Sequence, residues 1–360
     1  MSRDVLRPPT SAEVARQAGV SRTTVSFVLN GVRNQGISDS TRAKVMAVAR
    51  EMGYQPNAAA RSLASGSTGT VAMVIPKAAH LYVDIFLAQL VATLNEECHK
   101  FGLKLLIEST DDEGREANGF LNLVRGRSID GLIIPNQRTS EHAHIRLLQE
   151  AGVPLVYFSP TPNDPNSRQT VGSDTTLAAV MAVNHLMSLG HRAIAFVSFA
   201  KPEYDSVNER EVGWRQALQA AGITPDPSWV EYADISAHSG YEATRRLLAR
   251  RVPFSALFAG NDTIAFGAMR ALAEAGLRIP QDVAVVGFDD IPMAPFASPP
   301  LTTMRSDPIG LGRVALQKLL AQMNMGSKGD QGAEEERFSY EFEPRLIVRE
   351  SCGHKQKRPA

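Results

Sequence analysis

The sequence predicts an α/β protein in two unequal parts. An N-terminal all-α helix-turn-helix unit with a short linking helix is followed by two doubly wound parallel-sheet halves. Three observations predict this. Basic charge is concentrated at one end, a helix–glycine–helix pattern lies within that end, and strand-like apolar runs alternate with helical patterns over the remaining 280 or so positions.

The charge argument comes first. The chain has 360 residues with 38 Lys/Arg and 38 Asp/Glu, so its formal net charge is zero. Residues 1–68 hold nine Lys/Arg and only four Asp/Glu, a net +5 that leaves −5 for the rest. A small basic unit joined to a larger acidic one suits a chain of which only the first part meets an anionic polymer. A merely solvated basic surface is the alternative. At 6% aromatic content, a stacking channel for single strands is not expected. No apolar run approaches ~18 residues, and MSRDVLRPPTSAEVA has no apolar leader core, so neither a membrane span nor a signal peptide is expected. Cys98 and Cys352 make neither a metal cluster nor a disulfide framework, which fits a reducing cytoplasm.

Within the basic unit, Thr10 and Glu13 have capping-box spacing, and Val14, Ala15 and Ala18 follow at helical intervals. Gly19 supplies a positive φ for a tight turn, and Ser21 caps a second helix that buries Val25, Val28 and Leu29. Ser38 opens a third helix carrying Val45, Val48, Ala49 and Met52, which stops at Gly53. In a helix-turn-helix the second helix enters the major groove. The outward residues at its start are Arg22, Thr23, Ser26 and Phe27. Arg22 can read guanine through two hydrogen bonds, and Thr23 can meet a thymine methyl or a polar base edge. Ser21, Thr24 and Asn30, with Thr10, Ser26, Tyr54 and Asn57, stand where phosphate contacts would set register. A structural helical hairpin without DNA is the competing explanation. Residues 53–66, GYQPNAAARSLASG, predict a proline stop and a short helix capped by Asn57, too short to be stable alone. Leu63 on its exposed face would serve as a minor-groove wedge; otherwise it packs on a neighbour in a frayed linker.

VARQAGVSRTTVSFVLNG (14–31), ISDSTRAKV (37–45) and GYQPNAAARSLASG (53–66) together resemble the lactose-repressor family (LacI/GalR) of bacterial transcription regulators. The resemblance implies a homodimer on a pseudo-palindromic operator, with Leu63 inserted at the operator centre. It places Arg22 and Thr23 at variable base-reading positions. Phe27 departs from the family, many of whose members carry arginine there, and cannot donate a hydrogen bond. It implies a core resembling periplasmic sugar-binding proteins.

In the acidic unit, strands are predicted at 70–76, 103–110, 130–135 and 154–159, with helices near 85–101, 115–125 and 142–151 between them. The rhythm restarts with helices near 177–189, 210–221, 240–250 and 264–275 and strands at 193–199, 256–259 and 283–287. Two doubly wound halves fit better than one wide sheet. The expected boundaries are 1–56 for the helix-turn-helix unit, 57–69 for the hinge helix and linker, 70–350 for the core, and 351–360 for a tail. Within the core, crossings near Gly172, Pro299–Pro300 and 334–337 divide a first subdomain (70–171 plus 302–333) from a second (173–299 plus 337–350). The segment 323–336 reads as a polar loop, and no leucine heptads follow the core to support a tetramerising coiled coil.

Ligands of doubly wound proteins bind beyond the C-terminal strand ends. NERE (208–211), AGND (259–262) and VVGFDD (285–290) fall there, and with PPLTTMRSD (299–307) they resemble the family's effector cleft. The matching residues are Arg210, Asn261 and Asp289. An acceptor carboxylate, a guanidinium donor and an amide suit a polyol or sugar. Ion pairing or helix capping is the bland alternative, and capping is preferred for Asp262 and Asp290. Two departures are Ser159, where some sugar-responsive members carry aspartate, and Ile235, where several carry a stacking aromatic. The loop 77–84 offers Tyr82 or His80 to the cleft or to the surface. No G-x-S-x-G, P-loop or zinc-spaced His/Cys set is present, so no catalytic residues, metal or cofactor are expected. The expected function is a DNA-binding regulator, a repressor, whose operator affinity a sugar-like effector modulates. A co-repressor with a non-sugar ligand and a solute-binding transport protein are the alternatives. The expected partners are operator DNA, a small-molecule effector and a second copy of the chain, with no membrane.

Overall fold

A computed structural model describes residues 9–32, 35–54, 66–110, 119–158, 168–325 and 343–354. The chain divides into two compact units, 1–69 and 70–360.

The small unit is three helices, α1 (Ser11–Ala18), α2 (Arg22–Leu29) and α3 (Asp39–Glu51). Each start is fixed by a side chain that satisfies an otherwise orphaned amide. Thr10 and Glu13 form a reciprocal capping box, with Thr10 N donating to Glu13 Oε2 at 2.7 Å. Ser21 accepts from the Thr24 amide and Ser38 from the Thr41 amide. Gly19 ends α1 at φ 68°, a left-handed conformation that costs a side-chain-bearing residue strain, and so permits the turn into α2. Val14, Ala18, Val25, Val28, Val45 and Ala49 form its core. Leu29, Val48 and Met52 pack at its margin.

The large unit holds two sheets among the described residues. The first has the order β2 (Lys104–Ser109), β1 (Thr70–Ile75), β3 (Gly131–Ile134), β4 (Leu155–Phe158) and β5 (Thr170–Val171), all parallel. Helix α4 (His80–Val83) follows β1. Helices α5 (Ile85–Lys100) and α12 (Pro308–Gln322) cover one face, where Leu90, Leu94, Leu316 and Leu319 pack on Val71 and Ile133. Helices α6 (Gly119–Arg125) and α7 (His142–Glu150) cover the other.

The second sheet runs β11 (Arg345–Ile347), β10 (Thr302–Arg305), β9 (Ala284–Asp289), β8 (Ala256–Ala259), β6 (Ile194–Ser198) and β7 (Val230–Tyr232). Only β11 is antiparallel. Helices α8 (Thr175–Ser188) and α9 (Asp205–Ala220) pack on one face around Trp214, Phe196 and Phe258. Helices α10 (Ala237–Ala249) and α11 (Asp262–Glu274) pack on the other, so close at Gly240 and Gly267 that a β-carbon at Gly267 would stand 1.9 Å from the Ala237 carbonyl.

One expected boundary is corrected. Residues 302–305 do not belong with the first subdomain. Thr302 to Arg305 pair in register with Val286 to Asp289 of β9, so the chain crosses after β10, and only α12 returns to the first sheet. The prolines at 299–300 cannot donate backbone hydrogen bonds, and the ladder with β9 begins at Thr302, two residues beyond them. The crossing expected at 334–337 lies outside the described residues.

Candidate functional site: a recognition helix and an interdomain cavity

On α2 the side chains of Arg22 and Thr23 are exposed and Phe27 is half-buried. Helical geometry puts Val25 and Val28 on the core side and Arg22, Thr23 and Ser26 outward. Five of the expected phosphate contacts already have local partners. Thr10 is held in the capping box. Ser21 Oγ lies 2.9 Å from Thr24 Oγ1, and Asn30 donates to Ser26 Oγ at 3.2 Å. Tyr54 packs against the small core. Asn57 and Leu63 lie outside the described residues, as does Ser159 of the cleft set.

In the large unit a cavity open to solvent lies where the C-terminal ends of both sheets face each other. Its walls come from both subdomains: Pro76, Asp84 and Asn136 from the first, and Phe199, Arg210 and Asp289 among those from the second. The halves are joined beside it. Arg138 and Tyr204 form an antiparallel bridge, with Arg138 Nε and Nη2 donating to Tyr204 Oη at 3.1 and 2.9 Å. His142 Nε2 lies 2.7 Å from Asp205 Oδ2, Ser206 donates to Asn136 Oδ1 at 2.9 Å, and Lys77 pairs with Asp234 at 3.3 Å.

Arg210, Asn261, Asp289 and Ile235 all line the cavity. Arg210 reaches it from the first turns of α9, and its guanidinium carbon lies 3.7 Å from the Phe288 ring centroid and 4.7 Å from that of Phe199. It donates to the Gly260 carbonyl, and its Nη2 is 3.9 Å from Asp289 Oδ1. Arg210 Nε is buried without a hydrogen-bond partner among the described residues. Asp289 ends β9 at φ 117° and accepts from Ser306 Oγ at 3.1 Å. Burial pushes its carboxyl well above the usual carboxylate range, and the Arg210 charge opposes that shift. Ile235 is 4% exposed and its amide donates to the Phe199 carbonyl at 2.7 Å.

Three expectations change. Tyr82 is 85% exposed and is absent from the cavity wall, whereas His80 lines it. Two residues apart on α4, the side chains diverge by about 200° of helical rotation, so one turns inward and the other out. Asp262 is not the cap of α11; Asn261 is, accepting from Ile264 N at 2.8 Å. Asp262, fully buried, instead accepts from Thr303 Oγ1 at 2.6 Å and Ile291 N at 2.9 Å, and burial raises its carboxyl to about 7. Asp290 likewise is no cap: it pairs with Arg305 and Arg349 at 2.7 and 2.6 Å.

Sequence reasoning missed the other carboxyls of the wall, Asp84, Asp205 and Glu209. A signal existed. Asp205, Glu209 and Arg210 are spaced four and five apart at the start of one amphipathic helix, and Asp84 directly precedes another. Burial raises Asp84, against the Leu87 amide bond, and raises Glu209 to about 7, against the bond it accepts from Thr175 Oγ1.

Residues 10–57 match a family model described as bacterial regulatory proteins, lacI family, and residues 183–352 match a periplasmic binding protein-like domain. The chain is 30% identical over 343 residues to the HTH-type transcriptional repressor PurR of Haemophilus influenzae, spanning 95% of this chain and 98% of that one. It is 32% identical over 311 residues to the ribose operon repressor of Escherichia coli, spanning 86% and 92%. Among solved structures, the Lac repressor dimer bound to operator and the anti-inducer ONPF superposes with a TM-score of 0.78 at 29% identity, over 96% of this chain and 99% of that one.

Proposed function

The chain belongs to the lacI family of bacterial regulatory proteins, and from that premise we propose that it is a transcriptional repressor whose operator affinity is set by a small molecule in the interdomain cavity. It is a DNA-binding regulator rather than an enzyme. The observation that carries the proposal is that one chain presents an outward Arg22–Thr23 pair on a capped recognition helix and encloses a cavity with Arg210, Asn261 and Asp289 converging at its strand ends.

Residues 1–56 act as the operator-binding unit, 57–69 as hinge and linker, and 70–350 as the effector-binding and dimerising core. Arg22, Thr23 and Phe27 face base edges, while Thr10, Ser21, Thr24, Ser26, Asn30, Tyr54 and Asn57 position the phosphates. For Ser21, Thr24 and Asn30 such contacts add to the internal bonds, since a hydroxyl or amide that caps a helix retains capacity for a second partner. Leu63 is the minor-groove wedge. Two copies of the chain bind a pseudo-palindromic operator. No helix of the described residues is long and apolar enough to cross a membrane, and the proposed location is the cytoplasm, where the operator is.

Mechanistically, a ligand touching both walls changes the relation between the subdomains. It draws on the differential affinity of two states for one ligand, and a coupling of about 1–3 kcal/mol gives a usable switch. An effector that weakens operator binding is an inducer; one that strengthens it is a co-repressor. The test is a gel shift on genomic promoter fragments across salt concentrations, repeated with ligands found by thermal-shift screening of the full chain. Log affinity should fall by ~0.9 per neutralised phosphate per unit of log salt. Salt-independent binding, or no binding to any fragment, refutes the DNA assignment; a bound ligand that leaves operator affinity unchanged refutes the switch.

A further inference from the structure

The charges on the cavity wall do not balance. Among the described residues, four carboxyl side chains (Asp84, Asp205, Glu209 and Asp289) line it against the single guanidinium of Arg210. Two of the four have basic partners: Asp289 faces Arg210, and Asp205 faces His142. Asp84 accepts from the Leu87 and Phe86 amides and Glu209 from the Thr175 hydroxyl; Arg210 acts on both through space, but no cation lies within ion-pair distance of either among the described residues. They stand on opposite subdomains, Asp84 at the start of α5 and Glu209 on α9. The one guanidinium beside them among the described residues donates from Nη1 to the Gly260 carbonyl, lies over two aromatic faces and faces Asp289, and its Nε–H has no partner among the described residues.

We propose that the effector is a hydroxylated amine, an amino sugar or amino polyol, whose ammonium group is held by Glu209 and Asp84 and one of whose hydroxyl oxygens accepts from Arg210 Nε. The inference rests on the effector role given to the cavity. Its physical basis is that two carboxyls without a cation partner among the described residues bear a desolvation cost that a bound cation offsets and a neutral hydroxyl only partly offsets. A phosphate or carboxylate ligand would raise these carboxyls further, whereas an ammonium group draws their protons off, and among the described residues of the wall only the Arg210 guanidinium and the His80 imidazole could receive an anion. Around Glu209, Asp205 and Asp174 add negative potential and Arg210 opposes them. A cation between Glu209 and Asp84 also ties the two subdomains together, so the group that confers specificity is the one that favours closure.

The experiment uses the full chain at pH 6.5 and isothermal calorimetry with matched sets of common hexoses: parent, 2-amino-2-deoxy, N-acetylated and 6-phosphorylated. The protonated amine of at least one hexose should bind tenfold or more tighter than its parent. Its N-acetyl form, similar in position but uncharged, should lose that gain, and the phosphates should not bind. Glu209→Gln should reduce the amine-to-parent ratio to below about threefold, while the parent's own affinity moves much less. Parent hexoses that bind as well as the amines, a phosphate that binds best, or no amine that binds at all would overturn the proposal. So would a Glu209→Gln variant with the ratio intact. The cavity's role as the effector site is separable: it fails only if Asp289→Asn leaves the affinity of every bound probe unchanged.

Discussion

Replacing Arg210 by alanine should destabilise the core in a way that depends on pH. Arg210 is 8% exposed, and its guanidinium is wedged between two rings, bonded to the Gly260 carbonyl and facing Asp289. Its loss strands a buried carboxyl with Asp262 and Asp84 as its remaining charged neighbours. Removing one partner of a buried ion pair costs about 3–5 kcal/mol, most of it the penalty on the charge left behind. That penalty vanishes when the carboxyl is protonated. Burial already raises the folded-state value of Asp289, and without Arg210 it rises further. A group whose folded value exceeds its unfolded value contributes most below the unfolded value, 3.8 here, and loses that contribution as pH rises through the folded one. The deficit of Arg210→Ala against the parent should therefore be small near pH 4.5 and grow toward its full size by pH 8. Adding Asp289→Asn should recover much of the alkaline loss and little of the acid loss. Urea unfolding followed by fluorescence of Trp214, one helical turn beyond Arg210 and fully buried, reads both. A deficit constant from pH 4.5 to 8, or one that the second substitution does not relieve, would refute the pairing and leave only lost packing.

Gly267→Ala sets two effects against each other. Alanine is better in a helix by about 1 kcal/mol, but its β-carbon would meet the Ala237 carbonyl at 1.9 Å and the Tyr241 amide at 2.5 Å, so thermal unfolding should move down by several degrees rather than up. Thr10→Ala should cost about 0.5–2 kcal/mol of local stability, seen as faster amide exchange in α1; unchanged exchange would mean that the capping box is idle. Leu63→Ala should lower operator bending and specific affinity while leaving thermal stability in place, and a stability loss with unchanged bending would make Leu63 a packing residue.

Legibility in the sequence followed the range of the interactions. The caps at Thr10, Ser21 and Ser38 and the turn at Gly19 are local, set within four residues, and could be read directly. Strands of five or six apolar residues such as Thr70–Ile75 announced themselves. Val230–Tyr232, Thr170–Val171 and Arg345–Ile347 did not, because two or three residues carry no period and exist as strands only through a neighbour far away in the chain. The same holds at the cavity. Arg210, Asn261 and Asp289 sit at strand ends or beside them, where a rule directs attention. Glu209 and Asp84 showed a local signal at the starts of two helices, but that they line one space is visible only when the two subdomains come together. The Asn261–Asp262 pair shows the limit within a single dipeptide: either can cap, and a distant threonine, Thr303, decides which does.

The route of the chain through the core bears on its birth at the ribosome. The second sheet is closed by a strand at 345–347, and just beyond it Ser351 donates to the Val285 carbonyl and accepts from the Thr302 amide. The first sheet is roofed by a helix at 308–322 whose Gln322 bonds both the amide and the carbonyl of Leu155. Neither half can bury its last face until nearly the whole polypeptide has emerged. The three-helix unit, complete by residue 54, has no such wait. A nascent chain would therefore hold a finished DNA-reading end while its sensing end is still open, and a stalled or prematurely terminated product would carry the first without the control supplied by the second.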